Sequence, residues 1–177
     1  KHISEKKLID YVNGIILSGK NLLDLINDIL DLSKIEAGMM KIEYESVDLY
    51  SLCYEMKQIF EVKINEKGLF FNIEIQSQLP KRVILDEIRV KQILLNLIGN
   101  AIKFTPKGRV SLIISTEFLD PMESELNLIM TVKDTGIGIS KNQQELIFQA
   151  FQQQEGQKNH FGGTGLGLTI SRRLAEL

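Results

Sequence analysis

Cysteine is nearly absent from this 177-residue chain: Cys53 is the only one. A lone thiol excludes a disulfide scaffold and a multi-thiolate metal site. An excess of charge is lacking too, since 21 Lys and Arg stand against 23 Asp and Glu, a formal net charge of -2. A protein held on nucleic acid by its overall field needs a strong positive balance, so no nucleic-acid partner is expected. No apolar run approaches the roughly 20 residues that span a bilayer. Nor does a charged-then-apolar leader with a small-residue cleavage site open the chain. With 44% hydrophobic and 25% charged residues, the expectation is a soluble protein of a reducing compartment. A domain takes about 100–150 residues, so the length suggests one domain plus something more.

The surplus lies at the start. The first 36 residues read as one long helix with two adjacent apolar seams. Leu8, Tyr11, Ile15, Ser18, Leu22, Leu25, Ile29 and Leu32 form one seven-residue repeat; Ile9, Val12, Ile16, Gly19, Leu23, Ile26 and Leu30 form its neighbour. A two-stranded coiled coil needs one narrow stripe, whereas two seams need a partner on each side, as in a four-helix bundle. No second helix of that length and pattern exists in the chain, so partners from elsewhere are expected. Packing on the chain's own globular part is the alternative.

Gly38 ends this helix, and Lys41–Ser46 alternates as a short strand would. Val47–Lys67 reads as a helix capped by Asp48 and closed by Gly68, with Leu49, Leu52, Cys53, Met56, Ile59, Phe60 and Ile64 on one face. Strands are predicted over Leu69–Ile75, Val83–Leu85, Val110–Phe118 and Leu126–Asp134, with a hairpin loop at Asp120–Glu125. Asp86–Phe104 is a strongly periodic helix with Ile88, Ile93, Leu94, Leu97 and Ile98 apolar, and a last helix starts near Gly165. The fold class is therefore α+β: helices on one face of a mixed, mostly antiparallel sheet, preceded by one long bundle-forming helix.

Three local signals carry chemistry. In the Asp86–Phe104 helix, Asn96 and Asn100 lie four residues apart and thus on one face, with Lys103 and Phe104 just behind. An amide oxygen is a hard ligand that suits Mg²⁺, which takes a few protein oxygens plus phosphate and water. By itself such a pattern more often marks a solvated helix face. The second signal, DTGIGI at Asp134–Ile139, follows a strand; its glycines let the backbone turn and a flat ligand approach, and its carboxylate suits an exocyclic amine. A plain strand-ending turn would use the same residues. The third, GGTGLGL at Gly162–Leu168, runs into a helix, where backbone N–H groups form a nest for phosphate. It is neither a GxxxxGK[ST] phosphate loop nor a dinucleotide fingerprint, because it follows a polar loop and lacks the Lys-Ser/Thr pair.

In this order, DEIRVKQILLNLIGNAIKFTPKG, DTGIGI, the Phe148–Phe151 pair and GGTGLGL resemble the ATP-binding catalytic domain of bacterial sensor histidine kinases, in the GHKL superfamily. The resemblance covers about residues 40–177. LLDLINDILDLSKIEAGMMKIEYESVDL is similar to the second helix of that family's dimerisation domain and its linker. The implied organisation is a dimerisation helix over 1–38, a linker over 39–47 and an ATP-binding domain over 48–177 whose C-terminal strands are absent. The implied cofactors are ATP and Mg²⁺. Asn100 would hold the metal, with Asn96 beside it, Lys103 facing the phosphates and Phe104 lining the base pocket. Asp134 would bind the adenine amine, and Gly136, Gly138 and Ile139 would shape its pocket. Ser140–His160 would form a mobile lid anchored by Phe148 and Phe151. Gly163, Thr164, Gly165, Leu166 and Gly167 would close over the phosphates. Catalytic roles would fall to Asn96 and Lys103. For Lys158 and His160, phosphate contact and plain loop solvation both stay open.

Position 96 discriminates among relatives. ATP-hydrolysing members of the superfamily carry Glu there as the base for water, whereas Asn takes no proton at neutral pH. Slow hydrolysis and transfer to a protein acceptor are the consistent expectation. The family's acceptor is a His on the first dimerisation helix, and neither His2 nor His160 fits its pattern. Together with an end at Ala175–Leu177 inside a helix, this suggests a fragment. The expected partners are dimerisation helices of the same parent protein and a cognate response regulator. A cytoplasmic setting is expected, compatible with a parent anchored in the inner membrane. A non-catalytic, nucleotide-responsive binding module is the alternative function.

Overall fold

The computed structural model describes residues 5–76, 79–119, 125–152 and 164–177. The chain opens with helix α1, Glu5–Glu36, of 32 residues. Gly38 at φ 65° terminates it in a left-handed turn, with its N–H donating to Ile35 O and that of Met39 reaching back to Lys34 O. Strand β1 follows at Glu45–Asp48, later than the predicted Lys41–Ser46. The physical reason is that the Glu43 N–H donates to the Asp86 carboxylate at 2.9 Å instead of joining a ladder. Regular pairing begins only where Glu45 meets Leu85 of β3, Arg82–Leu85.

Helix α2, Leu49–Lys67, starts two residues later than predicted. Asp48 caps it by accepting from the N–H groups of Tyr50 and Ser51, and Gly68 at φ 62° closes it. Leu49, Leu52, Cys53, Met56, Phe60 and Ile64 are buried, whereas Ile59 lies outside this face and is exposed. Burial pushes the Cys53 thiol up to about 11, so it behaves as a packing residue. Helix α3, Glu87–Phe104, is capped by Asp86, which accepts from Arg89 N. Its core side is Leu94, Ile98, Ala101 and Ile102; Ile88, expected among them, sits in the first turn at 65% exposure.

The strands divide between two sheets. β1 and β3 pair antiparallel. β2 (Phe70–Ile75), β4 (Arg109–Phe118) and β5 (Leu126–Asp134) form a second sheet in the order β2-β4-β5, parallel across the first pair and antiparallel across the second. The parallel pair requires a crossover, and that crossover contains α3. Val110, Leu112 and Ile114 of central β4 meet the buried faces of α2 and α3 in the main core. Each such side chain contributes roughly 1.5–3 kcal/mol by leaving water. The last helix, α4, runs from Gly167 to Glu176. Its Ile170 and Leu174, with Leu166 before it, form a second core with Ile93 of α3, Ala150 and, from α1, Leu25, Leu32 and Ile35.

The docked end of α1 thus follows the alternative expectation, packing on the chain's own globular part. The rest of its apolar surface does not. None of its residues is buried, and both seams are exposed from Leu8 to Leu23. Among the described residues no helix is long and apolar enough to cross a membrane. His2, the Asp120–Ser124 part of the predicted loop, and Lys158, His160, Gly162 and Gly163 lie outside the described residues.

Candidate nucleotide site

One face of α3 organises the site. Asn96, Asn100, Lys103 and Phe104 fall at successive turns, and the other two motif segments attach to them. Asn96 is fixed at both ends of its amide: Nδ2 donates to Ser171 Oγ of α4 at 2.8 Å, and Oδ1 accepts from Asn100 Nδ2 at 3.2 Å. Gly167 packs directly against Asn96 Oδ1, so close that a Cβ there would collide with it. This is why the glycine segment needs a glycine where α4 begins. Spacing put Asn96 on one face with Asn100; the contacts make it the clamp between α3 and α4, and Ser171 is the partner that spacing did not reveal.

The Asn100 amide nitrogen is tied to Asn96, and its oxygen has no hydrogen-bond partner among the described residues. A single neutral oxygen on a half-buried helix face fits Mg²⁺, whose remaining positions phosphate and water fill. Among the described residues there is no cluster of His, Cys, Asp and Glu that could hold a metal unaided. Lys103 lies 4.8 Å from the Phe104 ring centroid, and burial holds its ammonium below the usual lysine range. An anionic ligand would favour the charged form and reverse that shift.

The second segment is laced to the end of α3. Ile137 N–H donates to Phe104 O at 3.3 Å. Gly136 sits against the same carbonyl, where any side chain would strike backbone. Asp134 at the end of β5 accepts the Gly136 N–H on Oδ1 at 2.8 Å, which pins one carboxylate oxygen at the mouth of the turn. Thr135 Oγ1 accepts from Arg109 N at 3.0 Å and joins the turn to β4. Gly138 has φ 69°, and Ile139 is exposed. Behind Phe104, Thr105 is fully buried, and its hydroxyl has no partner among the described residues.

In the third segment the Leu166 side chain belongs to the second core, and its carbonyl accepts from Ile170 N at 2.9 Å. The Leu166 N–H donates to Thr164 Oγ1 at 3.2 Å, and that hydroxyl donates to Asp28 Oδ2 of α1 at 2.8 Å. Burial raises the Asp28 carboxyl above its ordinary range; Thr164 opposes the shift, and Asp24 and Asp31 add to it. In the predicted lid, Phe148 closes a short 3-10 turn, Leu146–Phe148, where its carbonyl accepts from Thr169 Oγ1 at 2.9 Å. The Arg172 guanidinium lies 5.6 Å from its ring. Phe151 is different: it is exposed at φ 63°, and its backbone, not its ring, meets Gly165.

Lys67, the last residue of α2, was not singled out by any motif. Its Nζ donates to two carbonyls ending α3, Ile102 O at 2.7 Å and Lys103 O at 3.0 Å. A cavity of about 340 Å³ opens there, lined by Lys63, Glu66, Lys67, Gly99, Ile102 and Lys103. A slightly larger cavity of about 380 Å³ is lined by apolar residues of β3, β5, α3 and α4, and none of Asn96, Asn100, Lys103, Phe104 and Asp134 lines it.

An α+β layer with a metal-compatible amide, a lysine and two glycine turns gathered on one helix defines a nucleotide-binding domain. The profile of the histidine kinase-, DNA gyrase B-, and HSP90-like ATPase family matches residues 85–177, more than half of the chain, and the chain belongs to that family. Within the family it is similar to histidine kinases. Signal transduction histidine-protein kinase BarA of Escherichia coli (strain K12) is 39% identical over 166 residues, covering 93% of this chain and 18% of BarA. The full-length structure of ShkA in complex with AMPPNP matches 99% of this chain and 35% of its own, with TM-score 0.80 and 32% identity. The catalytic domain of histidine kinase ThkA matches with TM-score 0.59 and 30% identity, over 76% of this chain and 82% of that domain. The chain therefore carries the ATP-binding catalytic domain of a two-component sensor histidine kinase. It spans less than a fifth of BarA's length.

Proposed function

We propose that the α3 face binds Mg²⁺-ATP and presents its γ-phosphoryl group to a histidine on a dimerisation helix outside this chain, for onward transfer to a response-regulator aspartate. The observation that carries this reading is the convergence of all three motif segments on Asn96–Phe104. Asp134 would accept the adenine amine on the carboxylate oxygen that Gly136 leaves open. Phe104 would wall the base, Lys103 would meet the phosphates, and the backbone of Thr164–Gly167 would cradle them, with Gly163 continuing that run. Asn100 would hold Mg²⁺, which when bound neutralises phosphate charge.

Asn96 supports transfer over hydrolysis. Both ends of its amide are engaged, and an amide takes no proton from water at neutral pH. Phosphoryl transfer is mostly positioning and charge stabilisation, which these residues can supply. The exposed double seam of α1 supports reading residues 1–38 as a dimerisation helix, 39–47 as a linker and 48–177 as the ATP-binding domain, with copies of the same parent protein as helical partners. A cytoplasmic setting follows from that role.

Calorimetry with Mg²⁺-ATP tests the site. Asp134→Asn should weaken binding about tenfold or more, because a charge-assisted acceptor becomes an amide. Affinity equal to the parent's would remove Asp134 from the base pocket. Mixing the chain with an acceptor-bearing first helix and labelled ATP should yield acid-labile phosphohistidine. Its absence despite normal nucleotide binding would favour the non-catalytic module.

A further inference from the structure

A cation at the end of a helix does two things: it satisfies carbonyls that have no intrahelical partner, and it opposes the negative end of the helix dipole. Lys67 does both for α3. The last three carbonyls of that helix each have an identified partner: Ile102 O and Lys103 O accept from Lys67 Nζ, and Phe104 O accepts from Ile137 N–H. One of the two groups that Lys67 holds is the backbone carbonyl of Lys103 itself. Lys67 is fixed in turn, because Gly68 closes α2 through hydrogen bonds to Asn65 O and Ile64 O, so the stem starts from a rigid point.

From this geometry we infer that Lys67 is a positioning residue for nucleotide binding, fixing the last turn of α3 so that the Lys103 ammonium is held where the phosphates arrive. It touches no nucleotide atom in this role; it acts through Lys103. The inference rests on the reading of Lys103 as the phosphate-facing cation. Arginine at position 67 can donate to the same carbonyls, whereas methionine keeps the stem and loses the donor.

The test is a double-mutant cycle on Mg²⁺-ATP affinity by calorimetry, with urea transitions recorded for every variant. Lys67→Met should weaken binding about fivefold, the scale of one ordinary net hydrogen bond, and Lys67→Arg should return it close to the parent value. In the Lys67→Met/Lys103→Met double variant the two losses should not multiply, because one acts through the other. If Lys103→Met weakens binding while Lys67→Met binds like the parent, the positioning role is overturned and the site reading stands. Losses that multiply fully overturn it as well. A Lys67→Met chain whose only change is a lower urea midpoint, or that loses its cooperative transition, marks a structural role and overturns it equally. If Lys103→Met itself binds like the parent, it is the phosphate-facing reading that fails.

Discussion

Helices α1 and α3 carry the same kind of apolar periodicity and come to opposite ends. In α3 the stripe is consumed: Leu94, Ile98, Ala101 and Ile102 are buried, and the opposite face is free to present Asn96, Asn100 and Lys103. In α1, nearly twice as long, no residue is buried, and only its last third touches α4. Apolar pattern alone therefore does not tell whether a helix's stripe is covered within its own chain. The polar ends differ likewise. α3 is tied down at its start by Asp86, which accepts from Glu43 and Arg89, and by Lys91, which pairs with Glu55 at 2.6 Å and Glu87 at 2.8 Å. Its last turn is held by Lys67 and Ile137.

The largest effect that separates the two helices should come from Ile98→Ala. It removes a fully buried side chain from α3 and should cost about 2–5 kcal/mol in urea unfolding followed by circular dichroism. A cost below 1 kcal/mol would mean that the α3 stripe is no more committed than that of α1. Gly167→Ala comes next. Pressing a methyl against Asn96 should destabilise by about 1–3 kcal/mol and weaken ATP binding, and unchanged unfolding would dissolve the α3–α4 clamp.

Asp86→Ala should cost about 1 kcal/mol through loss of the cap, somewhat more for the stranded Glu43 N–H. It also has a pH signature. Burial alone would raise the Asp86 carboxyl, but the N–H groups of Glu43 and Arg89 and the Arg89 charge outweigh that and hold it below its ordinary value. Its stabilisation is therefore complete above the unfolded aspartate range and is lost as pH falls through the depressed folded value. The acid limb of the stability profile should flatten in the variant; an unaltered limb would assign acid sensitivity elsewhere. The smallest effect is expected for Ile15→Ala in α1. At 71% exposure it should shift the stability of the isolated chain at low concentration by no more than about 0.5 kcal/mol. A loss comparable to that of Ile98→Ala would show that α1 is part of the core after all.

Local signals made most of the fold legible. Asp48 as a cap, Gly38 and Gly68 as stops, the periodicity of Asp86–Phe104 and the alternation in β4 and β5 placed the elements within a few residues. The misplaced strand at Lys41–Ser46 failed because alternation cannot reveal that Glu43 N–H is claimed by a carboxylate 43 residues away. Ile59 and Ile88 failed because apolar residues flanking a helical stripe read the same whether or not the core reaches them. In the site, the motifs marked the residues expected at the ligand, but not those that hold the motif residues. Ser171 and Lys67 reach Asn96 and the end of α3 across 75 and 35 residues of chain, distances over which no spacing rule operates.

The asymmetric docking of α1 has a mechanical side. A 32-residue helix is about 48 Å long, and contact with α4 is confined to the stretch from Leu25 onward, so about 30 Å of rod projects past the fulcrum. On that geometry a tilt of about 10° at the fulcrum swings the tip by about 5 Å. Run in reverse, the same lever reduces a large displacement at the tip to an ångström-scale adjustment where Asp28 meets Thr164, at the threshold of the glycine turn.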